Sequence, residues 1–270
     1  MATRLPALPK TVTIKDVVRH NDRITSLVLD AKIDCRPGQF VMLWLPRLDE
    51  KPYSVAVPDP LTITFAIYGK FTEALSKLQA GDKIGWRGPL GNGFTLTSGR
   101  ALVVAGGVGL ASVSYLVRAL RAQGTAVDVV VGARTGDELY EIQEMTALGC
   151  SVYPTTDDGS LGFHGFTTDQ SKILMAANRY DQAYACGPEI MMVKLKTIFD
   201  EAAVPYQFSL ERYMKCGIGI CDLCSIDGLL TCKDGPIFDD KTVAGMTEFG
   251  HVYRITTGEE VPATGSHRLD

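Results

Sequence analysis

Four of the chain's seven cysteines fall between residues 216 and 232, as Cys216, Cys221, Cys224 and Cys232. Their spacing, C-x4-C-x2-C-x7-C, calls for a loop that wraps what the sulfurs hold. The first three positions reproduce the plant-type [2Fe–2S] pattern, in which a later cysteine closes the set. Gly217 and Gly219 suit such a loop, because glycine takes φ > 0 and lets backbone amides turn toward sulfur at close range. A structural zinc would also accept four thiolates. Zinc ligands usually come as two short knuckles, however, whereas here the first gap is longer and the fourth cysteine stands alone. A disulfide framework ranks below both, since the Met1–Lys10 segment lacks the apolar core and cleavage site of a secretory signal. The chain is therefore expected in the cytoplasm.

At 270 residues, 46% apolar and 21% charged, the chain can bury a sizeable core, and its length favours two domains or one with an appendage. The formal net charge is −4 with both signs interspersed, which leaves no electrostatic footprint for nucleic acid. The longest uncharged stretch, Ala101–Val117, carries three glycines and two serines and falls short of a spanning helix, so no membrane span is expected.

From Thr11 to Thr97 the apolar pattern is short and strand-like: Arg23–Leu29, Gln39–Leu45, Tyr53–Val57 and Leu61–Tyr68, with one short helix over Thr72–Leu78. This predicts an antiparallel barrel or sandwich, bounded by the glycine-rich run Gly88–Gly93. Beyond it the period changes. A continuous apolar strand, Ala101–Ala105, leads through Gly106-Gly107-Val108-Gly109 into a helix with Leu110, Val113, Leu116, Val117 and Leu120 on one face, stopped at Gly124. Strands Val127–Val131, Ser151–Tyr153 and Gln182–Ala185 alternate with helices near Leu139–Leu148, Ser171–Ala177 and after Pro188. The Thr135–Glu138 segment has capping-box spacing. Such alternation predicts a parallel sheet with helices on both faces. The expected architecture is an α+β two-domain chain: an antiparallel β-barrel over residues 1–98, a doubly wound parallel α/β nucleotide-binding domain over 99–208, a [2Fe–2S] region over 209–257, and a polar tail over 258–270. That tail, including Gly265-Ser266-His267, is given no function.

Gly106-Gly107-Val108-Gly109 follows a strand and opens a helix, where free amides and the helix dipole suit a pyrophosphate. By itself this signal is weak, because a glycine-rich turn is often purely structural. Cys186-Gly187-Pro188 strengthens it, for it too follows a strand and begins a helix, and parallel sheets bind ligands at such ends. Cys186 reads either as a small buried residue or as a packing group beside a nicotinamide. Lys51-Pro52-Tyr53-Ser54 offers a cation, an aromatic face and a hydroxyl suited to a flavin and its phosphates, or simply a strand start with an exposed lysine. Thr72 is either a helix-capping hydroxyl or a pyrophosphate contact, and the two roles are compatible. Arg134 reads as a solvated loop residue that could also reach a 2′-phosphate. His20, His164, His251 and His267 show no metal spacing.

With these parts in this order the chain resembles the ferredoxin-reductase superfamily, and within it the iron–sulfur flavoprotein electron-transfer subunits of class 1B dihydroorotate dehydrogenase. The resemblance is carried by Lys51–Ser54, Gly106–Ala111, Thr156-Asp157-Asp158-Gly159-Ser160, Cys186–Pro188, Met214–Cys221 and Cys232–Pro236, and runs up to about Phe238. It implies FAD on the barrel, met by Lys51, Pro52, Tyr53 and Ser54 and completed by Ala66, Ile67, Phe71 and Thr72. It further implies NADH as donor at Gly106, Gly107, Val108, Gly109, Cys186, Gly187 and Pro188, and one [2Fe–2S] cluster on Cys216, Cys221, Cys224 and Cys232. The partner would be an FMN-containing catalytic subunit that oxidises dihydroorotate in pyrimidine biosynthesis, as a heterotetramer of two of each. The family usually has arginine where Lys51 stands, and lysine lacks the flat two-pronged phosphate contact. No side chain is expected to act as general acid or base, since redox chemistry belongs to the cofactors. A related subunit serving a ferredoxin:NADP reductase, sulfur or hydrogenase complex is the alternative, and a zinc-stabilised nucleotide-binding module is a third reading.

Overall fold

The computed structural model describes residues 8–263, so the start of Met1–Lys10 and the end of the tail, with Gly265-Ser266-His267, lie outside the described residues. The first part of the chain forms β1 (Lys10–Arg19), β2 (Ile24–Leu29), β3 (Phe40–Leu45), β4 (Asp49–Ser54), β5 (Val57–Pro58), β6 (Leu61–Ala66), the helix α1 (Lys70–Ser76) and β7 (Lys83–Leu90). These strands make one antiparallel sheet in the order β4-β3-β7-β1-β2-β6-β5. The sheet curls until Tyr53 on β4 meets Phe65 on β6, ring centroids 6.2 Å apart. Ile14, Leu27, Leu29, Val41, Leu43 and Ile63 fill its interior.

Two strands, β1 and β7, join those the apolar pattern singles out. β7 is hard to read because Gly85, Gly88 and Pro89 interrupt it. Gly85 is required there, since the Trp44 ring occupies the space a Cβ would need. The Gly88–Gly93 run is no free linker. Asn92 Nδ2 donates to the carbonyls of Asp234 and Ile237, both at 2.8 Å, and its Oδ1 accepts from the Ile237 amide at 2.9 Å.

The second part comprises β8 (Arg100–Gly106), α2 (Leu110–Ala122), β9 (Ala126–Ala133), α3 (Ile142–Ala147), β10 (Ser151–Thr156), β11 (Phe163–His164), α4 (Thr167–Ala177), β12 (Gln182–Cys186), α5 (Glu189–Glu201) and β13 (Tyr206–Ser209). Alternate residues of β8 serve opposite faces: Ala101, Val103 and Ala105 pack with α2, while Leu102 and Val104 pack with Leu174 of α4 and Leu195 of α5. Burial on both faces explains the unbroken apolar run. The helix expected over Leu139–Leu148 is shorter, because Glu141 adopts φ 55 just before α3 and breaks the helical path.

A cysteine-bearing loop with the small hairpin β14 (Ser225–Ile226) and β15 (Leu229–Leu230) leads to β16 (Ile237–Asp239), α6 (Asp240–Ala244), β17 (Val252–Arg254) and β18 (Glu260–Pro262). The second sheet runs β11-β10-β9-β8-β12-β13-β16, parallel except for β16. Chain order reverses between β8 and β12, and such a switch point opens a crevice beyond the carboxyl ends of the strands. No helix among the described residues is long and apolar enough to cross a membrane.

Candidate functional site

The two turns expected to bind nucleotide meet at that switch point. Cys186 pairs with Ala105 across neighbouring parallel strands. A Cβ on Gly187 would lie 2.9 Å from the Gly106 amide nitrogen, and one on Gly106 would lie 2.8 Å from Pro188 Cδ. A Cβ on Gly109 would collide with the Cys186 carbonyl oxygen. Glycine is thus required by close approach of two backbones. Val108, half-buried, packs against the α2-side core. Gly107, at φ +55, has open space where its side chain would be and leaves the mouth of the α2 turn clear.

Cys186 is fully buried, and that burial, with Glu211 nearby, pushes its thiol up to about 12. It is therefore a neutral thiol at pH 7, a packing and hydrogen-bonding group. The Ser112 and Ser209 hydroxyls lie close by and partly offset that rise, and Ser112 Oγ accepts from Ser54 Oγ at 3.0 Å. Glu211, which the sequence reading did not single out, stands beside this group. Burial in the crevice and then the neighbouring Glu189 raise its carboxyl pKa, although the residue keeps an open face to solvent. Its only sequence signal is that it lies just beyond a strand end.

On β4, Tyr53 lies nearly parallel to Phe71, centroids 6.3 Å apart and planes 18° from each other. Phe71 belongs to the barrel core, so it reaches the strip through Tyr53. Ala66 is buried against the second domain's core, and Ile67 half-buried on the barrel side. Thr72 Oγ1 accepts from the amides of Tyr68 at 2.9 Å and Gly69 at 3.0 Å and donates to the Gly69 carbonyl at 3.0 Å. Gly69, one residue before α1, is thus the N-cap, and Thr72 secures it from within the first turn. Lys51 Nζ lies 3.9 Å from Asp49 and 5.3 Å from the centroid of the Tyr213 ring. Arg134 is paired with Glu138, which also lies 3.6 Å from Arg23.

Tyr213 leads into the cysteine loop, which rests on the other side of the same strands. Met42, which faces Pro52 in the β3–β4 register, packs with Phe40, Met214, Cys224 and Cys232. Arg87 on β7 makes a two-pronged pair with Glu50, at 2.7 and 2.6 Å, and donates to the Cys216 carbonyl at 2.8 Å. Lys51–Ser54 and the loop are therefore immediate neighbours.

Within the loop the amides of Ile218, Ile220 and Cys221 point at Cys216 Sγ at 3.5, 3.3 and 3.5 Å. The Gly219 amide points at Cys232 Sγ at 3.1 Å, and the Cys232 amide at Cys224 Sγ at 3.4 Å. Gly217 and Gly219 supply this geometry with φ +66 and +78. Burial opposes ionisation of Cys216, but the three amides outweigh it and bring the thiol down to about 6. A hydrogen bond from Cys232 brings Cys224 to about 7 against the effect of burial, and drives Cys232 the other way. Four thiols on one loop, with amide donors aimed at the sulfurs of Cys216, Cys224 and Cys232, fit a two-iron cluster, which takes four thiolates.

Residues 211–244 match the iron–sulfur cluster binding domain of dihydroorotate dehydrogenase B. The chain is 40% identical over 255 residues to a Methanocaldococcus jannaschii protein named "Probable dihydroorotate dehydrogenase B (NAD(+)), electron transfer subunit", covering 94% of this chain and 98% of that protein. A Methanothermobacter thermautotrophicus protein of the same name is 40% identical over 263 residues, covering 94% and 98%. A solved structure of an NADH-dependent reduced ferredoxin-NADP oxidoreductase, described for flavin-based electron bifurcation, superposes with TM-score 0.78 at 31% identity, covering 89% of this chain and 91% of that one.

Proposed function

Because the chain belongs to the family of dihydroorotate dehydrogenase B electron-transfer subunits, we propose that it carries electrons between NADH and an FMN-containing catalytic subunit that oxidises dihydroorotate, in a cytoplasmic heterotetramer of two of each. Bound FAD and a [2Fe–2S] cluster supply the exchange between paired and single electrons. The chain's own residues bind, space and insulate. Lys51, Pro52, Tyr53 and Ser54 receive the flavin and its phosphates, with Ala66, Ile67 and Phe71 backing the strip and Thr72 holding the turn at α1. The amides of Gly106, Gly107, Val108 and Gly109 take the nucleotide pyrophosphate, helped by the positive end of α2. Cys186, Gly187 and Pro188 close the other wall, and the neutral Cys186 thiol keeps charge away from the nicotinamide. Cys216, Cys221, Cys224 and Cys232 ligate the irons, and the loop amides stabilise negative charge on sulfur.

The observation that carries this reading is the adjacency of three beds: the glycine crevice, the Tyr53 strip joined to it by Ser54–Ser112, and the cysteine loop joined to the strip by Lys51–Tyr213. Anaerobic titration with NADH, followed by visible absorption and electron paramagnetic resonance, tests it. Flavin bleaching followed by a reduced-cluster signal is expected. Colourless protein with one zinc and no flavin would overturn it. Coupling of dihydroorotate oxidation to NAD+ after adding the FMN subunit tests the partner. The likeness to the ferredoxin-NADP oxidoreductase supports a second reading, in which the partner belongs to such a complex. Co-purification identifies which partner is bound.

A further inference from the structure

Ser112 lies in the first turn of α2 and is buried. Alanine there would favour the helix, and a hydroxyl taken out of water costs stability unless it is hydrogen-bonded. Ser54 on β4 donates to it at 3.0 Å, and the Cys186 thiol at the end of β12 stands close by. The Ser54–Ser112 bond thus ties the barrel to α2, beside the end of the parallel strand β12. Ser54 belongs to the strip assigned to flavin and Cys186 to the wall assigned to nicotinamide, and Ser112 lies beside both.

We propose that Ser112 is a positioning residue that fixes the Ser54 hydroxyl for its contact with FAD. Without Ser112 the Ser54 side chain is free to rotate among staggered states, and binding must order it. The inference rests on the FAD site proposed above, and binding of FAD to the flavin-free full-length chain separates the two. Flavin fluorescence quenching gives the affinity for wild type, Ser54→Ala, Ser112→Ala and the double variant. Each single change is expected to weaken FAD about three- to tenfold, the loss of one neutral hydrogen bond. The double variant is expected to bind no more weakly than the weaker single variant, because Ser112 acts through Ser54. Ser112→Thr, which keeps the hydroxyl, restores the affinity. A Ser112→Ala chain that binds FAD as wild type does overturns the inference, as does a double variant whose loss equals the product of the single losses. If circular dichroism shows Ser112→Ala unfolded, Ser112→Cys takes its place in the same cycle. Wild-type protein that binds no FAD overturns the parent reading instead.

Discussion

The glycine turn after β8 and the cysteine loop after β13 are the two segments we propose to grip a cofactor through backbone amides, yet they are held by different means. The turn is fixed from beneath: β8 and β12 are in register, their side chains are buried on both faces, and glycine is needed where backbone meets backbone. The loop instead sits on side chains of the barrel, with Met214, Cys224 and Cys232 packed on Phe40 and Met42. Apart from a two-by-two-residue hairpin it lacks ladder hydrogen bonds, and it is held by Arg87, Asn92, positive φ values and its own sulfurs. The crevice is therefore preformed by packing, whereas the loop's order is coupled to what its sulfurs bind.

The strongest way to break this contrast is Cys232→Ser. It should abolish the iron signal and the cluster absorption while NADH still reduces the flavin, so loss of both in one step would mean that the two regions are not separately held. Gly109→Ala comes next. Its Cβ has no room beside the Cys186 carbonyl, and overpacking of about 3 kcal/mol is expected, read as a lowered midpoint in denaturant together with loss of NADH binding. Gly219→Ala should cost less, about 1–2 kcal/mol for a left-handed residue bearing a side chain, since the nearest obstacle is the flexible Lys233, 2.9 Å from the new Cβ. Its effect should appear as faster iron loss to a chelator, with NADH affinity unchanged.

The smallest expected effect is a pH dependence. A carboxyl whose folded value is raised stabilises the fold fully below its ordinary 4.5, and that contribution fades as pH rises through the raised value. Thermal melts of flavin-free protein should show Glu211→Gln flattening this slope above pH 4.5, whereas an unchanged slope would remove Glu211 from the crevice's charge balance.

What the sequence made legible follows the same division. The parallel strands announce themselves, because burial on both faces leaves continuous runs such as Leu102–Val104 and Val127–Val131. The iron–sulfur character of the loop is equally legible, since sulfur spacing is a local property. Strand β7 is not, because its glycines answer to Trp44 and Val41, residues far away in the chain. Nor does any local pattern mark β16, whose pairing with β13 is a long-range event. Phe71, singled out by a motif match, packs in the barrel core against Tyr53, a placement no local pattern reveals. Ser112 and Glu211 gain meaning only from what the fold brings beside them.

The pairing of β13 with β16 has a consequence for how such a chain is assembled. The Leu210 amide donates to the Pro236 carbonyl at 2.9 Å, so residues 210–236 leave the sheet and return to it at almost the same point. The ends of the excursion are tied by the sheet itself, and the entropy of closing the ring is met before any iron arrives. A segment with adjoining ends leaves β13 and β16 paired whatever its length, while Met214, Cys224 and Cys232 seat it on Phe40 and Met42 of the barrel sheet. Cutting the chain after Ser209 would do the reverse, baring the edge of β13 as a template for other molecules to join.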